Sequence, residues 1–310
     1  TYAHLFLPLF DIGNIAYFYD INTKLSYRLD VDNKIYLSGY FGRDVFNVSN
    51  SFENTYGNTV VNFRWNHLFS DKLFSNLSLI YSDYYYGLDL NFVGFKWNSG
   101  IQNMNVKFDL KQYLNDHFSL EYGLQSTYYG FNPGIIQPNG PTSGINREEL
   151  TKKNAFENAV YLDIKQQVSE KISLRYGARL SSFLRLGQDE LNRYDGDNPL
   201  IFNPELQIYQ AVDPTGTINR SSGSVETSFI NIEPRLSLSY LFNENSSVKA
   251  SYNRMAQYLH LLSNTTAPTP LDVWAPSGKY IKPQLLDQIA LGYFKNYNDY
   301  SFEIEAYYKK

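Results

Sequence analysis

The sequence contains no cysteine. Disulfides, thiol chemistry and zinc–thiolate sites are therefore excluded. The four histidines, His4, His67, His117 and His260, are scattered, and no pair has the spacing of metal ligands. We predict no metal site and no cofactor. The net charge of −4 gives no support for nucleic-acid binding.

Long hydrophobic runs are also missing. The best run, residues 5–10, has six residues and is interrupted by Pro8. A membrane-spanning helix needs about 20 predominantly apolar residues, so the sequence predicts none. A membrane is not excluded, because a strand of a membrane barrel exposes only every second residue to lipid and has a low mean hydropathy.

Sequence patterns of enzymes are absent too. No Ser/His/Asp arrangement has a nucleophile-elbow context, and no glycine-rich loop precedes a helix. The run 195–198, Asp-Gly-Asp-Asn, resembles the start of a calcium loop, but the glutamate expected later in such a loop is missing. A polar turn is the favoured interpretation of this run. We predict that the protein is not an enzyme.

Aromatic residues are abundant, with 28 Tyr and 21 Phe. Tyrosine is favoured in strands and at membrane–water interfaces, where the ring is apolar and the hydroxyl stays hydrated. The tyrosine runs 84–86 and 128–129 lie near the ends of predicted strands, next to the longer connections. An aromatic girdle at the outer interface is the interpretation we favour over ligand binding.

Pairs of alternating segments surround short polar turns throughout the chain. These turns lie at residues 30–34, 70–72, 115–117, 169–171, 243–245 and 297–299. Three long connections, 132–153, 188–225 and 263–283, fall at the opposite end of the hairpins. The pattern predicts an all-β fold: a partial antiparallel transmembrane β-barrel of about 12 strands, with long loops on one side and short turns on the other. Residues 1–310 are predicted to be part of a single barrel domain.

Charged residues occupy the second face of the alternating segments, and buried unpaired charges are too costly for a small dry barrel. A wide lumen filled with water or a polar plug is therefore predicted, as in barrels of about 22 strands. The candidates for the surface facing the lumen and plug are Arg175, Arg179, Glu233, Arg235, Lys249 and Asn253.

The stretch 248–296 predicts a strand over 248–262, a loop over 263–283 and a returning strand over 284–296. Four prolines exclude a helix or a central strand in this loop. Its candidate ligand contacts are Asn264, Thr265, Thr266, Asp272 and Trp274, because a loop tryptophan can stack on a chelate or a sugar while Asn and Thr donate hydrogen bonds. The alternative is that the loop folds back into the barrel mouth, with Trp274 as a structural anchor.

This stretch contains YNRMAQY (252–258), LSNTT (262–266), PLDVW (270–274), YIKPQ (280–284), DQ (287–288) and LGYF (291–294), and EPR (233–235) precedes it. Together these residues resemble the barrel of TonB-dependent receptors of Gram-negative outer membranes. The closest resemblance is to nutrient and iron-chelate receptors whose plug follows a carboxypeptidase-regulatory-like domain. It covers most of the second half of the chain, whereas the first half matches mainly in its tyrosine-rich hairpins and short turns.

The resemblance implies a location in the cell outer membrane and active uptake of a scarce nutrient, either an iron–siderophore or similar chelate, or an oligosaccharide. It implies that the partners are outer-membrane lipid, the small-molecule nutrient, a plug domain and the TonB-ExbB-ExbD complex. The plug, the signal peptide and the closing C-terminal strand are expected outside this sequence. Siderophore, haem, cobalamin, oligosaccharide and peptide all stay open as ligands. Alternatives are a passive porin-like or adhesin-like barrel, or a soluble β-sandwich or propeller.

Overall fold

The computed structural model describes residues 14–48, 51–187, 190–262 and 273–310. These ranges consist mainly of antiparallel strands. The strands are β1 (Asn14–Arg28), β2 (Asn33–Val48), β3 (Phe52–Ser70), β4 (Leu73–Leu90), β5 (Phe95–Asn115), β6 (Phe118–Pro138), β7 (Glu148–Glu149), β8 (Lys153–Ser169), β9 (Ile172–Leu186), β10 (Glu190–Arg193), β11 (Leu200–Asn203), β12 (Ile208–Ala211), β13 (Gly216–Asn219), β14 (Val225–Asn243), β15 (Ser246–Gln257), β16 (Leu259–Leu262), β17 (Val273–Pro276), β18 (Gln284–Tyr297) and β19 (Tyr300–Lys309). Single 3-10 turns lie at Asn91–Val93 and Asp195–Asp197. No helix in these ranges is long and apolar enough to cross a membrane.

One large sheet organises the chain. Twelve strands form a continuous path in the order β1-β2-β3-β4-β5-β6-β8-β9-β14-β15-β18-β19, and β7 adds to the end of β6. Every neighbouring pair on this path is antiparallel. The sheet is not closed, and β1 and β19 form its two edges. The predicted fold class, a partial antiparallel barrel of about twelve strands, is confirmed.

The short turns have the predicted chemistry. In the first, the Asp30 carboxylate accepts hydrogen bonds from the backbone amides of Asp32 (2.8 Å) and Asn33 (2.7 Å). In the third, the side chain of Asn115 accepts from the amides of His117 and Phe118, both at 2.9 Å. Such side-chain bonds imitate a backbone turn, which is why Asp and Asn recur at these positions. Hydrogen bonds from Asn33 and Asp32 are the main cause of the lowered pKa of Asp30.

The two faces of the sheet differ as the alternation predicts. On β8, β9 and β14 the apolar side chains of Val160, Leu180 and Ile232 point outward and are exposed, whereas Ser181 and Glu233, one position further along, are buried on the inner face. The inner face also carries the charged residues that form ion pairs across the strands. Apolar-out and polar-in alternation is the pattern of a barrel whose outer surface meets lipid.

Glycines on the inner face make room for long polar side chains. Tyr161 pairs with Gly123, which pairs in turn with Asp109, and the Tyr161 hydroxyl crosses the glycine to bond the Asp109 carboxylate. A Cβ on Gly123 would lie 2.7 Å from that hydroxyl. Covering a strand glycine with a neighbouring aromatic ring is a known way to stabilise a curved sheet. The spacing of Tyr and Gly is therefore part of the wall's packing.

Four boundary predictions were wrong, and one of them concerns the predicted irregular connection 188–225, which contains the short strands β10 to β13. β6 continues to Pro138, although a loop was predicted from residue 132. Pro133 lies where the register between β5 and β6 shifts from Gly100–Asn132 to Asn98–Ile135, and a bulge tolerates a residue without an amide hydrogen. The predicted strand 248–262 is divided at Tyr258 into β15 and β16. The predicted loop 263–283 contains the short strand β17.

The tyrosine runs also divide between the two faces, because neighbouring residues of a strand point in opposite directions. Tyr128 packs against the exposed ring of Phe156, with ring centroids 5.0 Å apart, and belongs to the outer face. Tyr86 is 5% exposed, and Tyr129 donates a hydrogen bond to the inner carboxylate of Glu157. Only alternate tyrosines of each run can therefore contribute to the predicted girdle.

Candidate functional site

The inner face carries a ladder of ion pairs. Glu121 on β6 bonds Lys111 (3.4 Å) on the neighbouring strand β5 and Arg175 (3.0 Å) on β9, which lies beyond β8. Arg235 reaches Asp163 at 3.6 Å. Gly177 lies between Arg235 and Asp163 in the register, and its missing side chain leaves the path between them open. Several charges of the inner face are thus neutralised within the wall.

A largely buried part of this ladder is a set we call the wall cluster: Tyr129, Glu157, Arg179, Ser181 and Glu233. Arg179 donates to Glu157 at 3.0 Å and to Glu233 at 3.1 Å. Ser181 donates to Glu233 at 2.6 Å, and Tyr129 donates to Glu157 at 3.2 Å. Two carboxylates therefore share one guanidinium, and the two hydroxyls supply further donors. A buried charged group is stable only with such partners.

The second component of the site is a re-entrant hairpin formed by β16 and β17. These strands pair from Leu259–Pro276 to Leu262–Val273, and β17 contacts β5, β6 and β8 across the inner face. The connection between β15 and β18 therefore folds back onto the wall. This matches the alternative considered from the sequence, in which the loop folds into the barrel mouth.

Tyr258 fastens the hairpin to the wall. Its ring is 2% exposed and stacks on Phe183, with centroids 4.8 Å apart and an interplanar angle of 4°. Its hydroxyl lies 2.8 Å from the Ser181 hydroxyl and accepts a hydrogen bond from Asn231, also at 2.8 Å. Phe131 and Ala155 complete this buried cluster. The hydroxyl thus connects the hairpin directly to the wall cluster.

Within the hairpin, His260 Nε2 lies 2.8 Å from the hydroxyl of Ser277. Both residues are buried, and burial lowers the pKa of His260. The Ser277 amide also donates to the Tyr258 carbonyl at 2.7 Å. These hydrogen bonds satisfy the buried polar groups of His260, Ser277 and Tyr258 in the hairpin.

The hairpin continues into a contact between two loops, which we call the loop latch. Lys279 Nζ lies 2.7 Å from Asp197 Oδ1, and the Tyr280 hydroxyl donates to the Asn192 carbonyl at 2.7 Å. The Tyr280 ring packs edge-on against Tyr194, with centroids 5.4 Å apart. The Lys279 hydrogen bond lowers the pKa of Asp197, and the same bond raises the pKa of Lys279. The long connections 188–225 and 263–283 are therefore joined by an ion pair, a hydrogen bond and a ring contact.

A buried ion pair lies beside the latch at the mouth of the wall. Arg185 Nε and Glu226 Oε2 are 3.5 Å apart, with side chains 6% and 5% exposed. Gly278 follows the hairpin and passes close to both side chains, since a Cβ there would lie 3.8 Å from Glu226 and 3.9 Å from Arg185. The latch loop thus covers a charged pair that would otherwise face the lumen.

The residues predicted to face the lumen and plug fall on one face. Arg235 pairs in register with Asn253, which pairs with Gln288 on β18. Lys249 lies further along the same face of β15, with its ammonium 4.3 Å from the centroid of the Phe294 ring. Contact of these residues with a plug stays a prediction.

The predicted ligand contacts are described only in part. Asn264, Thr265, Thr266 and Asp272 lie outside the described residues. Trp274 is 36% exposed, whereas its neighbour Ala275 on the opposite face of β17 is 2% exposed and packs toward the wall. Tyr258 is therefore the residue that anchors the hairpin to the wall. The side chain of Trp274 lies on the face of β17 that points away from the wall.

Several members of the site were missed from the sequence: Tyr258, His260, Ser277, Ser181 and Tyr129. Ser181 and Tyr129 share the odd-numbered inner face with predicted charged residues, so the alternation could have indicated them. Tyr258 could not be found this way, because it lies where the strand is interrupted. In the described ranges, no group of three or more His, Asp or Glu side chains is arranged to hold a metal ion.

No protein-family model and no curated protein sequence matches the chain. Among solved structures, the hemophore receptor HasR of Serratia marcescens is similar, with 13% identity, a TM-score of 0.66 and coverage of 94% of this chain and 45% of that one. The chain shares the barrel fold of this receptor. The copper transporter OprC is similar at 11% identity and a TM-score of 0.65, over 94% of this chain and 45% of that one.

A third similar structure is the alcaligin outer-membrane receptor FauA of Bordetella pertussis. It has 13% identity and a TM-score of 0.61, over 95% of this chain and 43% of that one. The chain therefore spans less than half the length of each of these three proteins. At these identities the likeness establishes the fold of the sheet, and the function has to be argued from the residues.

Proposed function

We propose that this chain is the membrane-barrel part of a TonB-dependent receptor in the cell outer membrane, which actively takes up a scarce small-molecule nutrient. The nutrient we favour is a metal chelate, since the three similar proteins are named for a heme-loaded hemophore, copper and alcaligin. Oligosaccharide stays the second class. The protein binds and transports its ligand and catalyses no reaction.

The re-entrant hairpin is the observation that carries this proposal. A passive porin keeps its lumen open to water, whereas here a segment between two barrel strands lies on the inner wall and is fixed there by the buried Tyr258. The latch then joins this segment to the connection between β9 and β14 through Lys279 and Asp197. A surface built from two long loops that contact each other favours capture of a specific ligand over free diffusion.

The remaining inner face suits a plug. Many of its charges are paired within the wall, which weakens the field that a plug would meet. In the proposed assembly, Arg175, Arg235, Lys249 and Asn253 face a plug domain of the same protein, preceded by a carboxypeptidase-regulatory-like domain. Further strands pair with the edges β1 and β19 to close the barrel. The TonB-ExbB-ExbD complex supplies the energy that moves the plug.

Uptake by living cells tests the proposal. A strain that lacks the gene should grow poorly on limiting iron supplied as one of a panel of ferric chelates, and the intact gene should restore growth. The restoration should disappear when TonB is also deleted. Equal growth of the complemented strain with and without TonB on every chelate and every oligosaccharide tested would overturn the proposal in favour of passive diffusion.

A further inference from the structure

The connection between β9 and β14 carries an arm made of two nested hairpins. At its end β11 and β12 form a hairpin that we call the arm tip, which pairs from Leu200–Ala211 to Asn203–Ile208. At its base β10 and β13 pair with each other, and the loop latch contacts this base at Asn192. Within the described residues, β11 and β12 pair with no further strand. The latch therefore holds the base of the arm, and the arm tip extends from that base.

The turn of the arm tip is fixed by its own side chains. The side-chain oxygen of Asn203 accepts hydrogen bonds from the amides of Glu205 (3.0 Å) and Leu206 (3.1 Å). Gln207 has a positive φ of 57°, and its side chain donates to the Pro204 carbonyl at 3.0 Å. A turn of defined geometry sets the register of the two strands that it joins. The arm tip is therefore a preformed hairpin that presents its two faces in a fixed arrangement.

The two faces of the arm tip differ in polarity. One face, which we call the apolar tip face, is formed by four exposed side chains that pair across the two strands: Leu200, Phe202, Tyr209 and Ala211. The ring centroids of Phe202 and Tyr209 lie 5.2 Å apart, and Tyr209 is 69% exposed. On the opposite face, Asn203 donates a hydrogen bond to Gln210 at 3.2 Å. A contiguous exposed apolar face on a loop beyond the barrel strands indicates an interaction surface.

Neither strand of the arm tip carries a charge. β11 reads LIFN and β12 reads IYQA, and the nearest acidic residues, Glu205 and Asp213, lie in the turn and beyond β12. Exposed edge strands are usually protected from pairing with their own copies by charged side chains. Recognition of a different protein usually relies on complementary charge, which these strands do not offer. Because an isolated two-stranded hairpin is only marginally stable in water, the arm tip also gains stability when its apolar face is covered.

We propose that the apolar tip face packs against the same face of a second copy of this chain. A twofold axis brings the two identical surfaces together, so the rings of Phe202 and Tyr209 in each copy are covered by the other copy. Four side chains per copy are far fewer than the about 20–30 residues of a standard interface. The contact is therefore weak in dilute solution and forms between copies that one membrane confines at a high effective concentration. The inference rests on the outer-membrane placement in the proposed function and does not depend on the transported ligand.

Thiol cross-linking of the intact protein in cell membranes tests the inference, because the chain contributes no cysteine of its own. Ala211→Cys places a thiol on the apolar tip face, and the matched control Gln210→Cys places one on the opposite face of the same exposed strand. A short bismaleimide should join two copies through position 211 and not through position 210. Co-expression of a tagged and an untagged copy identifies the two-copy product by its composition.

Charge substitutions separate the contact from the folding of the arm tip. Phe202→Lys places a cation on the apolar tip face of both copies, whereas Ile201→Lys places one on the opposite face at a neighbouring exposed position. Like charges that meet across an interface are strongly unfavourable. Cross-linking through position 211 should therefore fall about tenfold or more in Phe202→Lys and stay unchanged in Ile201→Lys. Mixing a Phe202→Lys copy with a Phe202→Glu copy should restore it, which a merely unfolded arm tip would not do.

Equal cross-linking through positions 210 and 211 would overturn the inference. So would equal yields in Phe202→Lys and Ile201→Lys, no recovery in the mixture of oppositely charged copies, or a product that joins position 211 to a different protein. Fractionation of the cells separates this failure from failure of the proposed function. Protein recovered in the outer membrane without the two-copy product refutes only the contact between arm tips, whereas protein absent from that membrane refutes the placement itself.

Discussion

Removing one oxygen atom from Tyr258 should release the re-entrant hairpin from the wall. Tyr258→Phe keeps the ring stacked on Phe183 but deletes the contacts with Ser181 and Asn231, both 2.8 Å long. Each neutral hydrogen bond in such a place contributes about 1 kcal/mol, so the free energy of detaching the hairpin should fall by about 2 kcal/mol. A change of that size corresponds to about 30-fold in the population of the detached state.

The absence of cysteine makes this population measurable. A single cysteine introduced at Ala275, which is 2% exposed, should react slowly with a maleimide because the hairpin must open first. A single cysteine introduced instead at the exposed Trp274 gives the maleimide reaction rate of a site that is accessible while the hairpin stays attached. In the Tyr258→Phe background we expect labelling at position 275 to become about 30 times faster, while labelling at 274 stays unchanged.

Tyr176→Phe is the control, since it also removes one tyrosine hydroxyl, in this case one that lies 3.4 Å from Gln166 and far from the hairpin. Labelling at position 275 should be unaffected by this change. If Tyr258→Phe also leaves that rate unchanged, the hydroxyl does not hold the hairpin, and the link between the hairpin and the wall cluster is refuted.

Three further predictions follow from the same site. Trp274→Ala should weaken nutrient uptake while leaving barrel assembly intact, as judged by heat-dependent gel mobility; normal uptake would make Trp274 structural. Arg179→Met should lower the free energy of unfolding by about 3–5 kcal/mol in a urea titration, because two buried carboxylates lose their shared cation; an unchanged midpoint would contradict this. The lowered pKa of Asp197 and the raised pKa of Lys279 should keep the loop latch closed from below pH 3.8 to above pH 10.5. Spin-label distances across the latch should therefore be constant between these limits and increase at any pH in Asp197→Asn; a change near neutral pH would refute the assignment.

The direction of the latch prediction follows from linkage. A carboxyl whose pKa is lowered in the folded state contributes stability above its unfolded pKa and loses it as pH falls through the folded value. An ammonium whose pKa is raised contributes below its unfolded pKa and loses this as pH rises through the folded value. Asp197 is of the first kind and Lys279 of the second, so the contact fails only at the two extremes.

The sheet was predictable because its two faces meet different surroundings. Val160, Leu180 and Ile232 alternate with inner residues such as Glu233, and a shift of one residue would place charges on the outer face. The short turns were predictable for a local reason, since Asp30 and Asn115 cap their own turns. The alternation and the turn hydrogen bonds both depend on residues close together in the sequence, so both can be predicted from the sequence alone.

The site was less predictable because its contacts join distant parts of the chain. Ser181 and Tyr258 are 77 positions apart, and nothing near Tyr258 in the sequence indicates which strand its hydroxyl will meet. The loop latch also depends on a contact between distant residues, Lys279 and Asp197. Asp197 belongs to the run 195–198, which the sequence predicts to be a polar turn and not a calcium loop. Pro133 misled the prediction of β6 for another reason: a bulge makes its missing amide hydrogen tolerable within a strand.

The central claim is that the barrel is an occupied, energy-dependent receptor and not an open pore. Conductance of the intact, purified protein in a planar lipid bilayer tests this most directly. We predict no steady ion current without TonB, because the proposed plug and the re-entrant hairpin would together close the lumen. A large, persistent current from the intact protein alone would contradict it.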